Sequence, residues 1–276
     1  MNINASTEAR LVALVRQVAT KEILPRFMAL APNEIETKTH ADDLVTVADR
    51  EAERCLTQGI QDIIPHAVVI GEEAVSAGAA LLSDVADAEV CVLVDPVDGT
   101  WNFANGLPLF GVMLAVVAQG HTLWGLIYDP MSDDYVVAQR NEGARHVSKN
   151  GVETQLNFGK SRIVASKATG YVHATSFTGS ERSKVFDCIP TFAKADSLRC
   201  SAHEYRLLAR NVVDFVVSPI LTPWDHAAGC LVAQECGGIA RFTSGINYTP
   251  TQHEGRLIVA KSENDWHQIS DIFDLR

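Results

Sequence analysis

The 276-residue sequence lacks most of the patterns that settle a chemistry by themselves. Its six cysteines form no C-x-x-C pair, which removes the ligand spacing of structural zinc, and several lie in apolar stretches where cysteine behaves as a small hydrophobe. There is no G-x-x-x-x-G-K-S/T loop, no H-E-x-x-H and no G-x-S-x-G, so P-loop, zincin and serine-hydrolase chemistries lack their residues. No stretch approaches about 18 uninterrupted apolar residues, and the opening MNINASTEAR has no basic segment followed by an apolar one. Basic runs are missing too: acidic residues outnumber basic ones by 34 to 23, for a formal charge of −11. Nucleic acid and anionic membrane are poor partners for such a chain. These absences predict a cytoplasmic, reduced protein with no nucleic-acid and no membrane partner.

What is present is an ordinary globular composition, 47% hydrophobic and 21% charged, without low complexity or an internal repeat. The length is long for one average domain and short for two, which predicts closely packed halves over residues 1–150 and 151–276. Hydrophobic periodicity places a helix from Thr7 to about Leu30, with Leu11, Leu14, Val15 and Val18 on one face and Pro25 bending or ending it. A second helix runs from Val47 to Ile60, carries Asp49 in its first turn, and stops before Pro65. Short apolar runs then end in acidic loops twice over. Ala67 to Ile70 runs into Gly71-Glu72-Glu73, and Val90 to Val94 runs into Asp95-Pro96-Val97-Asp98-Gly99-Thr100.

Strands over Phe110 to Val117, Leu123 to Tyr128 and Asp134 to Gln139 follow, with hairpin character from Gly143 to Gly151. Beyond that the pattern alternates. Strands at Ile163 to Ser166, Ser197 to Cys200, Val213 to Val217 and Leu257 to Ala260 are interleaved with helices at Arg182 to Ala193, Ala202 to Arg210, Pro223 to Glu235 and Asn264 to Phe273. The fold class is therefore α/β (α+β), with N-terminal helices and an antiparallel-rich sheet followed by a smaller α/β half.

Carboxylates stand at the ends of predicted elements in four places: Asp49, Glu72 with Glu73, Asp95 with Asp98, and Asp225. Each acidic turn taken alone is an ordinary solvated turn. The loop from Asp95 to Thr100 asks for more, because two carboxylates three residues apart after a wholly apolar strand repel each other in a confined site unless a cation neutralises them. Such a cluster suits magnesium, which is held by a few carboxylates together with water and a substrate phosphate. Pro96 stiffens the loop, Gly99 permits close backbone approach, and the N–H groups of Gly99 and Thr100 can face a phosphate oxygen. Thr222-Pro223-Trp224-Asp225 reads on spacing alone as a capped helix start, with Thr222 as N-cap and Asp225 as the capping partner. The D-x-D-x-T/V loop of an aspartyl-phosphate route is absent.

Gly71-Glu72-Glu73, the run from Asp95 to Phe103, and Trp224-Asp225-His226-Ala227-Ala228-Gly229 resemble, in order and rough spacing, the signatures of the inositol monophosphatase family. Leu44-Val45-Thr46-Val47-Ala48-Asp49 is similar to that family's N-terminal motif, so the resemblance spans about Lys38 to Gly238. It implies an αβαβα layered sandwich, commonly a homodimer, and a magnesium-dependent, lithium-sensitive phosphatase of small phosphorylated metabolites. Carried over residue by residue, it implies that Glu72, Asp95, Asp98 and the Val97 carbonyl hold the first metals and that Asp225 completes a further site. About two or three ions would then sit in each active site. Asp98, Gly99, Thr100 and Asp225 would contact the substrate. Asp49 and Thr100 would hold the attacking water, with Glu72 among the catalytic groups, Lys38 beside them and Glu73 in support. The implied chemistry is direct attack by a water that a bound cation has made acidic.

His203 and His226 read as neutral structural histidines, and Trp101 as packing under the acidic loop. Family enzymes that act on inositol phosphate carry a glutamate seven residues before the helix-start Asp, and here that position is Ser218. Arg199-Cys200-Ser201-Ala202 also departs from the family's Gly-Thr-Ala type turn. Loss of a hydrogen-bonding carboxylate weakens the case for inositol. Histidinol phosphate, a nucleotide 3′-phosphate and a sugar bisphosphate stay open within the same chemistry, as does a non-catalytic regulatory protein that keeps the fold.

Overall fold

The computed structural model describes residues 3–275. The chain opens with α1 (Ala5–Val18), which is capped by Asn4 Oδ1 accepting from the Thr7 N–H and buries Leu11, Val12, Val15 and Val18. A π turn over Ala19–Ile23 and a 3-10 turn over Leu24–Arg26 follow. The helix expected to reach Leu30 thus ends at Arg26. Pro25 has no N–H to donate and its ring crowds the carbonyl four residues back, which is where the wider π turn lies.

β1 (Ile35–Thr37) and β2 (Leu44–Thr46) pair antiparallel and lead into α2 (Val47–Ile63), which starts where predicted and runs on to Ile63. Next come β3 (Val68–Gly71), the short helices α3 (Glu72–Ser76) and α4 (Asp84–Asp87), β4 (Val90–Asp98) and α5 (Thr100–Ala104). A meander follows: β5 (Gly111–Ala118), β6 (His121–Asp129), β7 (Asp134–Gln139), β8 (Gly143–Val147) and β9 (Glu153–Leu156). Strands β3 to β9 form one seven-stranded sheet in sequence order, with β3 parallel to β4 and every later pair antiparallel. The rest of the chain supplies β10 (Thr169–Val172), α6 (Gly179–Cys188), β11 (Lys194–Asp196), α7 (Ser201–Ala209), β12 (Phe215–Ser218), α8 (Pro223–Glu235), β13 (Ile239–Phe242), β14 (Leu257–Ala260) and α9 (Glu263–Phe273). Its five strands run in the order β11-β10-β12-β14-β13, the first two pairs parallel and the last two antiparallel.

Alternation along the buried strands sorts the core into layers. Cys91 and Leu93 of β4, with Met113, Ala115 and Val117 of β5, join the core formed with α7 and α8, whereas Val92, Val94, Val112, Leu114 and Val116 join the core formed with α1 and α2. Both faces are covered, so these strands read as continuous apolar runs. Helix α8 lies between the two sheets and is buried along nearly its whole length, from Pro223 to Ala233. The far face of the second sheet packs Phe215, Val217 and Ile258 against Val185 of α6 and Trp266, Ile269 and Phe273 of α9. Helices, seven-stranded sheet, helices, five-stranded sheet, helices: this is the αβαβα sandwich expected.

Several expected elements differ. Residues 163–166 are not a strand; a 3-10 turn covers Ala165–Lys167, and the Ile163 N–H goes to the Asp265 carboxylate of α9 at 2.8 Å instead of to a neighbouring strand. Residues 197–200 form a loop, because the Glu204 carboxylate takes the Leu198 N–H at 2.8 Å and the Ser197 hydroxyl at 3.0 Å and so replaces a ladder partner. The helix expected over residues 182–193 starts earlier, at Gly179, and ends at Cys188 in a 3-10 turn containing Pro190. The expected hairpin is wider, with β8 and β9 paired from Ala144 opposite Leu156 to Val147 opposite Glu153. Strands β1, β2, β9, β10, β11 and β13 have no counterpart in the sequence reading, and each is four residues or fewer. All six cysteines are free thiols, and among the described residues no helix is long and apolar enough to cross a membrane.

Candidate active site

Strands β3 and β4 are parallel neighbours, with Gly71 opposite Val94, so both deliver their C-terminal carboxylates to the same edge of the sheet. Asp95 and Asp98 are an odd number apart, and in a regular strand they would point to opposite faces. A bulge prevents this: Asp95 lies opposite Met113 but Asp98 opposite Gly111, so β4 carries one extra residue between them. Both carboxylates then reach one cavity of about 240 Å³, which Glu72, Thr100 and Asp225 also line. Helix α8 brings Asp225 there in its first turn, and one oxygen each from Asp95, Asp98 and Asp225 lies within 4.8 Å of the others.

Each group is held from behind. Asp98 Oδ1 accepts from the Ser201 N–H at 3.1 Å, while Oδ2 accepts from the Ala202 N–H at 2.6 Å and the Cys200 thiol at 3.0 Å. These amides are free donors of the first turn of α7. The turn after Asp98 needs Gly99, whose φ is 88° and where a Cβ would come 2.7 Å from the Leu109 carbonyl oxygen. Thr100 Oγ1 lies 2.9 Å from Asp49 Oδ1 and 3.1 Å from the Val97 carbonyl, and it can donate to either. Asp49 Oδ2 accepts the Thr46 N–H at 2.8 Å and the Thr46 hydroxyl at 2.5 Å, so one carboxylate both caps α2 and meets Thr100. Lys38 Nζ bridges Glu72 and Glu73 at 2.8 and 2.6 Å. Glu53, one turn beyond Asp49 on α2, accepts the N–H groups of Glu73 and Ala74 at 2.7 Å each. Gly71 makes room for it, since a Cβ there would fall 2.2 Å from Glu53 Cδ.

Burial raises these acids, and their mutual repulsion adds to it. Asp95 stands well above the usual carboxylate range through burial and then the charges of Glu72, Asp98 and Asp225. Glu72 is pushed up to about 8, where burial outweighs Lys38 while Asp225 and Glu73 add to the rise. Asp98 is pushed up to about 7 by burial and Asp225, against the hydrogen bonds from Cys200, Ala202 and Ser201. Burial also raises Glu73, to about 7, and lifts Asp49 against its bonds to Thr46 and Thr100. Among the described residues, Lys38 is the ammonium bonded to this group. An all-oxygen donor set with surplus negative charge fits a hard divalent cation.

The residues expected at the site are thus gathered around one cavity: Glu72, Asp95, Asp98, Gly99, Thr100 and Asp225 in its wall, with Asp49 and Val97 behind Thr100 and Lys38 and Glu73 behind Glu72. The capping reading of Thr222 is corrected in part: the residue does stand at the N-cap of α8 with Pro223 in its first turn, but its hydroxyl donates to the Asp225 carboxylate and its side chain caps no N–H of the helix. Trp101 is also corrected: it lines the cavity mouth, half-buried, with the Arg199 guanidinium 4.1 Å from its ring. His226 Nε2 donates to the Ile220 carbonyl at 2.7 Å and Nδ1 meets the Tyr205 hydroxyl at 2.8 Å; His203 Nε2 donates to the Phe110 carbonyl at 3.2 Å. Burial lowers both histidines. Glu53 escaped the sequence reading, although its place four residues after Asp49 puts both on one helix face. The α7 amides that hold Asp98 carry no side-chain signal at all.

An acid-lined cavity at parallel strand ends, set in an αβαβα sandwich, makes this chain a member of the inositol monophosphatase family, whose sequence profile matches residues 5–272. Among its relatives, the Nus factor SuhB of Vibrio cholerae is 34% identical across 77% of this chain and 77% of its own length. The inositol-1-monophosphatase of Bacillus subtilis is 30% identical across 78% of each chain. A solved IMPase/NADP phosphatase complexed with Mg2+ and phosphate shares the fold, with a TM-score of 0.80 at 19% identity over 96% of this chain and 94% of that one.

The raised carboxyls have a consequence for stability when divalent cations are chelated. Unfolded, they titrate near about pH 4. Their contribution is full below that and is lost as pH rises through about 7 for Asp98 and about 8 for Glu72. Thermal unfolding in EDTA should show a midpoint that falls from about pH 5.5 to about pH 8, with a shallower fall in Asp98→Asn. A midpoint that climbs over that range contradicts these electrostatics.

Proposed function

We propose that the chain hydrolyses a small-molecule phosphate monoester by direct attack of water, with Glu72, Asp95, Asp98, Asp225 and the Val97 carbonyl holding magnesium. The observation that carries this reading is the convergence of Glu72, Asp95, Asp98 and Asp225 on one cavity beside the Thr100–Asp49 hydrogen bond. So much buried negative charge is costly unless a cation offsets it. The names of the Bacillus subtilis relative and of the magnesium- and phosphate-bound structure support it further.

Magnesium, when bound, supplies Lewis-acid polarisation of the phosphoryl group and neutralises its charge beside the carboxylates. The chain's residues supply the proton path. Thr100 donates its hydroxyl proton to Asp49 Oδ1, which leaves Oγ1 lone pairs free to accept from the attacking water and aim it. As the water attacks, its proton passes to Thr100 Oγ1 while the Thr100 proton moves on to Asp49, a carboxyl whose raised affinity makes it a ready acceptor. Thr46 fixes the plane of that carboxylate, and Lys38 with Glu73 fixes Glu72. Asp98, Gly99, Thr100 and Asp225 border the space left for the phosphate.

The name Nus factor carried by the Vibrio cholerae relative supports a second reading, a regulatory protein that keeps the fold. Phosphate release from a panel of monoesters separates the two. Release that requires magnesium supports catalysis, and no release from any member moves the assignment to the regulatory reading. Asp98→Asn should abolish turnover while keeping the wild-type circular dichroism spectrum, and wild-type activity there would sink the metal assignment. Thr100→Ala should lower kcat by on the order of 10²–10⁴-fold with little change in KM. A rise in KM alone would remove Thr100 from the proton path.

A further inference from the structure

The segment from Arg199 to Ala202, where the sequence departs from the family's turn, closes on Asp98 from one side. It also borders a second cavity, of about 920 Å³, which adjoins the carboxylate cluster and is lined by Asp98, Asp225 and Cys200, and by His173 with its 2.6 Å contact to the buried Glu204. An ionised carboxylate has about two lone-pair sites on each oxygen. Asp98 Oδ1 accepts the Ser201 N–H at 3.1 Å, whereas Oδ2 accepts both the Ala202 N–H at 2.6 Å and the Cys200 thiol at 3.0 Å. Among the described residues, these bonds fill Oδ2 and leave Oδ1 one open site. Two of the donors are backbone amides, which the turn supplies whatever its side chains are. The third belongs to this sequence, because it comes from the side chain at position 200.

The thiol has little freedom to turn away. Cys200 is 1% exposed, and its Cβ and Sγ stand 3.2 and 3.3 Å from where a Cβ on Gly99 would lie, so the side chain is packed against the turn that follows Asp98. Its second contact, with the Asp98 backbone carbonyl, is longer at 3.6 Å. A thiol at neutral pH carries its proton, and burial beside a carboxylate charge strengthens that hold. Sγ therefore donates and Oδ2 accepts.

The consequence concerns which cation the site admits. Calcium gathers about six to eight oxygens in a pliable shell and readily draws both oxygens of one carboxylate, whereas magnesium is smaller, holds near-octahedral geometry and keeps water in place of further carboxylate oxygens. A carboxylate with one oxygen closed off suits the second ion better than the first.

We propose that Cys200 is a selectivity-determining residue of the metal site: its S–H closes Oδ2, so that Asp98 offers a cation Oδ1 alone, which favours magnesium over calcium. This rests on the metal assignment made above and extends it to a residue outside the carboxylate set.

Calorimetric titration of magnesium and of calcium into the metal-free chain tests this without any assay of turnover. Cys200→Ala opens a site on Oδ2 and should narrow the ratio of magnesium to calcium affinity by about fivefold or more, through tighter calcium binding. Cys200→Ser keeps a donor at the same place and should hold the ratio within about twofold of wild type. A loss of packing alone would weaken both ions together and leave the ratio unchanged. If C200A does not fold, as judged by circular dichroism, Cys200→Val, which fills the space of the thiol without donating, decides the question. A ratio unchanged in the non-donating variant, or narrowed as much by Cys200→Ser, overturns the proposal and leaves the metal assignment standing. A wild-type chain that binds neither ion overturns both.

Discussion

The mutual repulsion of Glu72, Asp95, Asp98 and Asp225 is the constraint around which the rest of the molecule is arranged. Unscreened carboxylates a few ångströms apart in a buried cavity work against folding. The chain answers with local devices that hold the acids in place: the first-turn amides of α7 on Asp98, the Thr222 hydroxyl on Asp225, and the Lys38 ammonium on both Glu72 and Glu73. None of these removes the surplus charge. The site is thus built to be completed by a cation, and burial makes the demand stronger.

The sandwich supplies the geometry that this needs. Parallel β3 and β4 bring two acidic loops to one edge, and α8, lodged between the sheets, brings the third carboxylate-bearing segment from the far half of the chain. Packing fixes the depth of that helix, so Asp225 meets Asp95 and Asp98 without a flexible tether. The bulge in β4 does the remaining work, because in a regular strand two aspartates three residues apart would face different layers.

The layer order was legible only through the family resemblance; the apolar runs of β4, β5 and α8, which require cover on every side, agree with it. Positions of the acids were readable as well, since they sit at the ends of strong apolar runs and in motifs with fixed spacing. The bulge was not, for it depends on the register of β5, to which no residue of the loop points. Strands such as Glu153–Leu156 and Lys194–Asp196 were missed because short, exposed edge strands carry no hydrophobic period. Residues 197–200 misled for a different reason: their backbone partner is the Glu204 side chain, seven residues on from Ser197, and side-chain ladders leave no periodic trace. That same glutamate looked like an ordinary polar residue of a helix, and only its burial against His173 reveals the charge pair beside the cavity.

The most direct test of the central claim is to count protons as the cation binds. Calorimetric titration of magnesium into the metal-free chain near pH 7, repeated in buffers of different ionisation enthalpy, should give saturable binding with net release of on the order of one proton per site, because Glu72 and Asp98 hold protons there that the ion displaces. Magnesium binding without proton release, or no binding at all, would contradict the account.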